Sequence, residues 1–394
     1  MSVASLPTTA AAVPSYRAAP PPRPSRMARV VWALSGLNLA TVIAGLLLLF
    51  VVSERWWLGT VLTYLPRAPW AVPSILLALA GLFWHRPSLW ANVLALLLIL
   101  GPVMEFRAPW LADARSGPPV AAAAHSLRFV SANVQGYKPD FAGVLTEVAK
   151  FKPDVVVLQE ARGEHRLLVE FFPDWHRLHV DYFWIGSRYP LTLKHTCQTA
   201  AFDRVTGLVA EIETPDGPVI VADVHQMTAR RGLLSLSPSE LVSGAAQSEL
   251  EEFQMLRMAE SAELREQIRQ HNPGLPLIVA GDFNTPASSS LFQREWGDLT
   301  SAYDIAGTGY GYTSPVKAQS YWLSYVPWAR IDHILCSPDW HIRDCRIGAG
   351  RGSDHHLIYA ELVLPRRAPS VSDRSLPSLG NVRTADSEMP DSGR

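Results

Sequence analysis

A chain of 394 residues with a formal net charge of −1 has no overall basic field to recruit nucleic acid, and its 48% hydrophobic content is at the upper end for a soluble protein. Only three cysteines occur, Cys197, Cys336 and Cys345, an odd and sparse set that reads as reduced and partly buried rather than as a disulfide framework. The apolar excess is concentrated between Val30 and Met104.

Residues 1–26 are rich in Ala, Pro, Ser and Arg and read as a disordered arm. The run VVWALSGLNLATVIAGLLLLFVV, Val30 to Val52, then carries no charge, and at about 1.5 Å per residue it spans the roughly 30 Å hydrocarbon core of a bilayer. A signal peptide is the competing reading; the run is longer than a signal core, and further apolar segments follow it. Trp70 to Trp84 and Ser88 to Met104 are the second and third candidate spans, with a turn at His85 to Pro87 between them. The stretch Trp56 to Trp70, with Arg67 and two prolines, reads as an outer loop or as part of a longer helix. Arg17, Arg23, Arg26 and Arg29 precede the first span and favour a cytoplasmic N-terminus. Three crossings in the region 27–106 then place everything after about Glu105 outside the cytoplasm.

A polar, Ala- and Pro-containing linker (107–126) leads into a second region, 127–364, where short apolar runs predominate. LRFVSAN is followed by Phe141, Val144, Leu145, Val148 and Phe151 at helical spacing and then by VVVLQE, which together suggest a βαβ unit. Further strands are expected at GLVAEIE, PVIVADVH, PLIVAGDFN, IDHILCS, WHIRDCRIG and HLIYAELVL. A helix from about Ala246 to Gln270 puts Leu250, Phe253, Leu256, Leu264 and Ile268 near one face. Sheets packed on each other with helices outside fit this pattern, and 365–394 reads as a disordered tail.

Five of these strand ends carry acids, amides or imidazoles: Asn133, Glu160, Asp223 with His225, Asp282 with Asn284, and Asp332 with His333; a last segment adds Asp354, His355 and His356. A single Asn or Asp after a strand is ordinarily a turn former, but the company changes the reading. Oxygen donors without cysteine suit Mg²⁺ or Mn²⁺, and a divalent cation, a water-orienting acid and a histidine make a site that hydrolyses phosphoesters. No Cys-x-x-Cys, HExxH or GxxxxGK[ST] pattern occurs.

The ordered series SANVQG, VVLQE, ADVH, AGDFN, RIDHIL and GSDHH resembles the endonuclease/exonuclease/phosphatase superfamily, over about Leu127 to Leu364. Apolar helices ahead of such a domain resemble a bacterial membrane-anchored branch of it. The resemblance implies a DNase I-like four-layer α/β sandwich preceded by about three transmembrane helices. It implies Glu160 as the principal metal carboxylate, Asn133 beside it and Asp354 on the metal or its water. It also implies that Asp282 orients or deprotonates the attacking water, that Asn284 holds the water or a phosphate oxygen, and that Asp332 fixes His355 for the transition state. His225 would contact the phosphate from the other flank. An acid and an amide two apart on an extended segment would point to one side. Asp223 stands where many relatives carry Asn and reads as facing away; His356 is a doubtful phosphate contact, and the loop Gln226 to Gly244 carries Arg230 and Arg231.

The expected activity is therefore metal-dependent hydrolysis of a phosphodiester or phosphomonoester, in nucleic acid or in a phospholipid or inositol phosphate, by a multi-pass protein of the bacterial inner or plasma membrane with its catalytic domain outside. The bilayer is the expected partner and no protein partner is implied. The rival reading is a catalytically silent binding or sensor domain that uses the same pocket.

Overall fold

The computed structural model describes residues 24–111, 125–234, 245–316 and 326–365. Most of the expected N-terminal arm, the core of the linker, the second half of the loop after Gln226 and nearly all of the expected tail lie outside the described residues.

The N-terminal region is helical. Helix α1 (Arg26–Leu47) is capped by the Ser25 hydroxyl and runs on through a π-helical turn to Arg55. Helix α2 (Trp57–Tyr64) is short and meets the helical stretch containing α3 (Ala71–Trp84) at 98°. The last helical stretch, Arg86–Val103, contains α4 (Leu89–Leu98). By length and composition two helices can cross a membrane, or three if the bent pair counts as one span. Their outward faces are apolar, with Trp32, Leu37, Leu76, Phe83, Trp90 and Leu97 exposed. Inside, Asn38 Nδ2 donates to Ser74 Oγ (2.8 Å) and Asn92 Nδ2 to Ser35 Oγ (2.9 Å), polar contacts that join the helices.

The second region contains two six-stranded sheets. The first uses β1 (Ser126–Asn133), β2 (Val155–Gln159), β3 (His176–Val180), β4 (Phe183–Ser187), β11 (His341–Ile347) and β12 (Ile358–Val363), in the order β11-β12-β1-β2-β4-β3. The second uses β5 (Leu191–Thr199), β6 (Arg204–Thr214), β7 (Gly217–His225), β8 (Leu277–Asp282), β9 (Thr300–Ser301) and β10 (Asp332–Cys336), in the order β5-β6-β7-β8-β10-β9. Because both faces of the central strands are covered, Val155 to Val157 form a continuous β-branched run with every residue buried.

Phe129, Val157, Phe183 and Ile185 of the first sheet meet Leu208, Ala210, Val221, Ile278 and Ile334 of the second in a shared core. Each fully buried Val, Ile or Phe there contributes roughly 1.5–3 kcal/mol. Outside the first sheet pack α5 (Phe141–Lys150) and α6 (Arg166–Phe171) through Val144, Leu145, Val148 and Leu168. Outside the second pack α7 (Arg230–Leu233), α8 (Ala245–Gln270) and α9 (Ser290–Trp296), with Leu264, Ile268, Phe292 and Trp296 in the outer core. The result is the four-layer α/β sandwich of the DNase I type. All three cysteines are buried and unbridged.

Two details differ from expectation. On α8, Leu250, Leu264 and Ile268 are buried, but Leu256 is 44% exposed, and the middle of the buried face is polar, formed by Gln254, Arg257, Glu260 and Ser261. Arg230 and Arg231, expected on a loop, stand exposed on the helical turn α7.

Register is what positions the site. β1 and β2 run parallel with Asn133 beside Gln159, and β7 and β8 run parallel with His225 beside Asp282. Antiparallel β10 starts at the same level, Asp332 facing Asp282. The polar ends of five strands thereby share one edge of the sandwich.

Candidate active site

Asn133 joins the two sheets. Its Nδ2 donates to Glu160 Oε1 and to Asp282 Oδ2, both at 3.1 Å, while its Oδ1 accepts from Gln135 N at 3.0 Å. Glu160 follows β2 with φ 56°, a left-handed conformation that costs a non-glycine residue about 1–2 kcal/mol and here turns the side chain into the hollow. His225 Nε2 stands 3.9 Å from Glu160 Oε1 and 3.7 Å from Asp282 Oδ2. Across Asp282, His355 Nε2 is 3.8 Å from Oδ2, and His355 Nδ1 is 2.8 Å from Asp332 Oδ2. Ser353 Oγ donates to Asn133 O (2.7 Å) and accepts from His355 N (3.2 Å), fixing the last segment against β1.

Of the residues singled out from the sequence, Asn133, Glu160, His225, Asp282, Asp332 and His355 thus meet in one hollow. Asn284 behaves differently. The chain is not extended there (φ 50°); its amide N donates to Asp282 Oδ1 (2.8 Å) and its Nδ2 to Gln226 O (2.9 Å). It ties the loops after β7 and β8 together rather than simply pointing beside Asp282. Asp354 is held through its backbone, by Gln135 Oε1 at 3.1 Å and Val316 N at 2.8 Å, and its charge acts on His355. Asn133 and Glu160 share a hydrogen bond, whereas no hydrogen bond joins Asp354 to either among the described residues. Asp223 is fully buried beneath the site, where Gln159 Nε2 donates to its Oδ1 at 2.6 Å and burial raises its carboxyl well above the usual range. His356 packs against Gly350, behind the hollow, with burial lowering its imidazole.

The electrostatics divide the groups by role. Burial drives the Asp282 carboxyl up to about 7, with His355 opposing and Asp332 reinforcing. Burial alone would lower His355, but Asp332 and Asp282 outweigh it and hold the imidazole at about 10, as a cation. Burial, then the charges of Arg204 and His355, lowers His225 to about 3, so this ring is neutral.

Three carboxylates facing one imidazolium leave negative charge uncompensated, and Asp332 Oδ1 is a buried oxygen without a hydrogen-bond partner. An all-oxygen surplus of this kind fits a hard divalent cation. Asp282, Asp332 and His355 hold ligand atoms within 4.8 Å of one another, but an imidazolium has no lone pair for a metal. A cation therefore fits beside the Glu160 carboxylate, on the side of Asp282 away from His355; Asn133 turns its NH2 toward both acids and orients them, with its Oδ1 taken by Gln135 N. Sequence reasoning missed Ser353, which lay inside a quoted motif, and Arg257, whose helical setting reads as a solvated surface.

Among solved structures, the chain is similar to truncated TDP2 from Caenorhabditis elegans (15% identity, 60% of this chain and 98% of that one, TM-score 0.44). It is similar also to the 3′–5′ exonuclease NExo from Neisseria meningitidis (19%, 60% and 100%, TM-score 0.44). An AP endonuclease from Archaeoglobus fulgidus gives 14% identity, 59% and 98% coverage and a TM-score of 0.43. No curated protein matches the sequence. The model of the Endonuclease/Exonuclease/phosphatase family matches residues 130–355. That interval runs from β1 to His355 itself and takes in every residue of the hollow, and the chain belongs to this family.

Proposed function

We propose that the chain is a membrane-anchored, divalent-metal-dependent phosphoesterase that hydrolyses phosphodiester or phosphomonoester bonds by in-line attack of water on phosphorus. The observation that carries the reading is the convergence of Asn133, Glu160, His225, Asp282, Asp332 and His355 on one hollow, from strand ends far apart in the chain. Mg²⁺ or Mn²⁺ held by Glu160, which Asn133 Nδ2 orients, would polarise a phosphoryl oxygen and offset developing negative charge.

The protein's own groups supply the rest. Asp282, with its carboxyl raised toward neutrality, takes the proton of the attacking water, and Asn133 Nδ2 orients its Oδ2. His355 donates Nδ1–H to Asp332, which leaves Nε2–H aimed at the hollow to stabilise the charged transition state or protonate the leaving oxygen. Neutral His225 contacts the phosphate from the opposite flank. This scheme needs no covalent enzyme intermediate.

The exposed apolar faces of the N-terminal helices support anchoring in a bilayer. With the Arg-rich arm in the cytoplasm and three crossings, the catalytic domain lies outside a bacterial inner or plasma membrane. The substrate is a phosphoester of nucleic acid, phospholipid or inositol phosphate. The test uses the full chain in nanodiscs with single-stranded and duplex DNA, RNA, sphingomyelin and inositol phosphates, each with Mg²⁺, Mn²⁺ or EDTA. Hydrolysis of one class that EDTA and Asp282→Asn both abolish is expected; the absence of hydrolysis across the panel would leave the silent-binder reading in its place.

A further inference from the structure

Between the hollow and the apolar helices lies a buried polar junction that the proposed chemistry does not use. Glu54, at the end of the first apolar helix, is 5% exposed. Its Oε2 accepts from Ser53 Oγ (2.6 Å), Ser290 N (3.0 Å) and Ser290 Oγ (3.0 Å). Its Oε1 accepts from Ser289 Oγ and from Tyr64 Oη, the latter at 3.3 Å. Arg67 adds a second strap, donating to Glu105 Oε1 (2.9 Å) and Ser288 Oγ (3.0 Å). Ser288, Ser289 and Ser290 lie on the segment that leaves the hollow after Asp282.

Tyr64 carries the connection further. Its Oη accepts from Arg257 Nη1 at 2.7 Å, and the guanidinium lies 5.2 Å from the centre of its ring. Arg257 is 2% exposed. Its Nε donates to Met227 O (2.8 Å), and its Nη2 donates to Asn284 O (2.9 Å) and Thr285 Oγ1 (2.8 Å). Met227 and Asn284 stand two residues after His225 and Asp282. One buried guanidinium therefore ties together the two loops that carry the histidine and the base, and its acceptors here are neutral oxygens. Two carboxylates lie one group away from this guanidinium: Glu260, whose Oε2 accepts from Met227 N (2.7 Å), and Glu54, reached through Tyr64. A buried charge whose partner is removed is strongly destabilised and moves whatever it holds.

We propose that the segment Ser53–Arg67, which joins the first two apolar helices, is a built part of the active site. In it Tyr64 and Glu54 are positioning residues that act through Arg257 and Ser289 to hold the His225 and Asp282 loops in register. The membrane region is then a component of the catalytic machinery as well as a tether.

The kinetic part of the test rests on the phosphoesterase reading; a second part does not. Full-length protein in nanodiscs is compared as wild type, Tyr64→Phe, Glu54→Gln and Arg107→Ala, the last removing an ion pair to Asp304 (2.9 Å) away from both loops. With bis(4-nitrophenyl) phosphate and Mg²⁺, Tyr64→Phe and Glu54→Gln are expected to lower kcat about tenfold or more with KM within about twofold, and Arg107→Ala to leave kcat within about twofold. A general loss of folded protein would lower apparent kcat in the same way, so kcat is expressed per folded protein, with the folded fraction of each sample taken from its thermal melt. In hydrogen exchange, amides of 284–290 should exchange about tenfold faster in Tyr64→Phe and Glu54→Gln, with β10 unchanged. Exchange of 284–290 within twofold of wild type in both variants overturns the proposal, as does unchanged kcat in an active enzyme. A wild type that hydrolyses nothing counts against the phosphoesterase reading alone, and the exchange experiment then decides the positioning of the loops.

Discussion

Replacing Asp332 by Asn removes the carboxylate that His355 Nδ1 contacts at 2.8 Å while keeping the shape of the side chain. The fold should tolerate the change, because Asp332 Oδ1 has no hydrogen-bond partner to lose and Asn can still accept from Nδ1 through the other atom. At an effective dielectric near 20 the bare attraction over that distance is about 6 kcal/mol, but desolvation cancels part of it, and a charge-assisted hydrogen bond contributes roughly 1.5–3 kcal/mol net. Lost from the transition state, that energy lowers kcat roughly 10- to 150-fold. The sign of the pH effect follows from the raised folded value. The imidazolium of His355 is fully present below its ordinary value of 6.5, and it disappears as pH climbs through about 10. Without Asp332 the same energy brings that limb down by roughly 1–2 pH units, toward 8–9. The assay is kcat for a phosphodiester with saturating Mg²⁺ at several pH values, with thermal melts on each sample. The deficit of the Asn variant should be larger at about pH 9 than at about pH 6. A kcat within about threefold of wild type across that range, with His355 in place, would refute the assignment of an imidazolium stabiliser held by Asp332.

Stability offers two further tests. Gly281 has φ 145°, and a Cβ added there would lie 1.9 Å from the Val224 carbonyl oxygen of the neighbouring strand, so Gly281→Ala should destabilise the domain on the order of 4 kcal/mol or more. Denaturant unfolding measures this, and a wild-type midpoint would contradict the close packing of β7 against β8. Burial alone would raise the Asp304 carboxyl, yet Arg330 and Arg107 hold it down at about 2, below its ordinary 3.8. Its contribution to stability is therefore present above about pH 4 and lost as pH falls toward 2; the melting temperature should drop in that window, and less so in Arg107→Ala.

What the sequence disclosed and what it concealed divide along a physical line. Strands β1, β2, β7, β8 and β10 announce themselves because they are buried and end at one level in acid, amide or imidazole, whereas β4, equally buried but ending in no such group, leaves no comparable pattern. The edge strands β3 and β5 alternate weakly and keep exposed residues such as His176 and Leu193, and no periodicity singles them out. Asn284 departs from the expected alignment with Asp282 because a left-handed residue directly after a strand breaks the two-residue alternation. Helix α8 hides more. Its apolar residues suggest a stripe through Phe253 and Leu256, while the buried face is completed by Gln254, Arg257 and Glu260.

Polar residues buried in mid-helix look like solvated ones until their partners are known, and these partners are remote in the chain. Arg257 finds Asn284 27 positions away and Tyr64 193 positions away. Arg67 read as an interruption between apolar runs for the same reason, since the 221 positions between it and Ser288 leave no local trace. Hydrophobic burial is written in local periodicity, but a buried charge is legible only together with the group that neutralises it. The contacts of Glu54, Tyr64 and Arg67 with Arg257 and Ser288–Ser290 are of the second kind, and a domain excised at about residue 125 would leave Arg257 without Tyr64 and Ser288–Ser290 without Arg67 and Glu54. Assays on such a fragment therefore measure loops that keep the bonds of Arg257 to Met227, Asn284 and Thr285 but lack the support proposed for Tyr64 and Glu54.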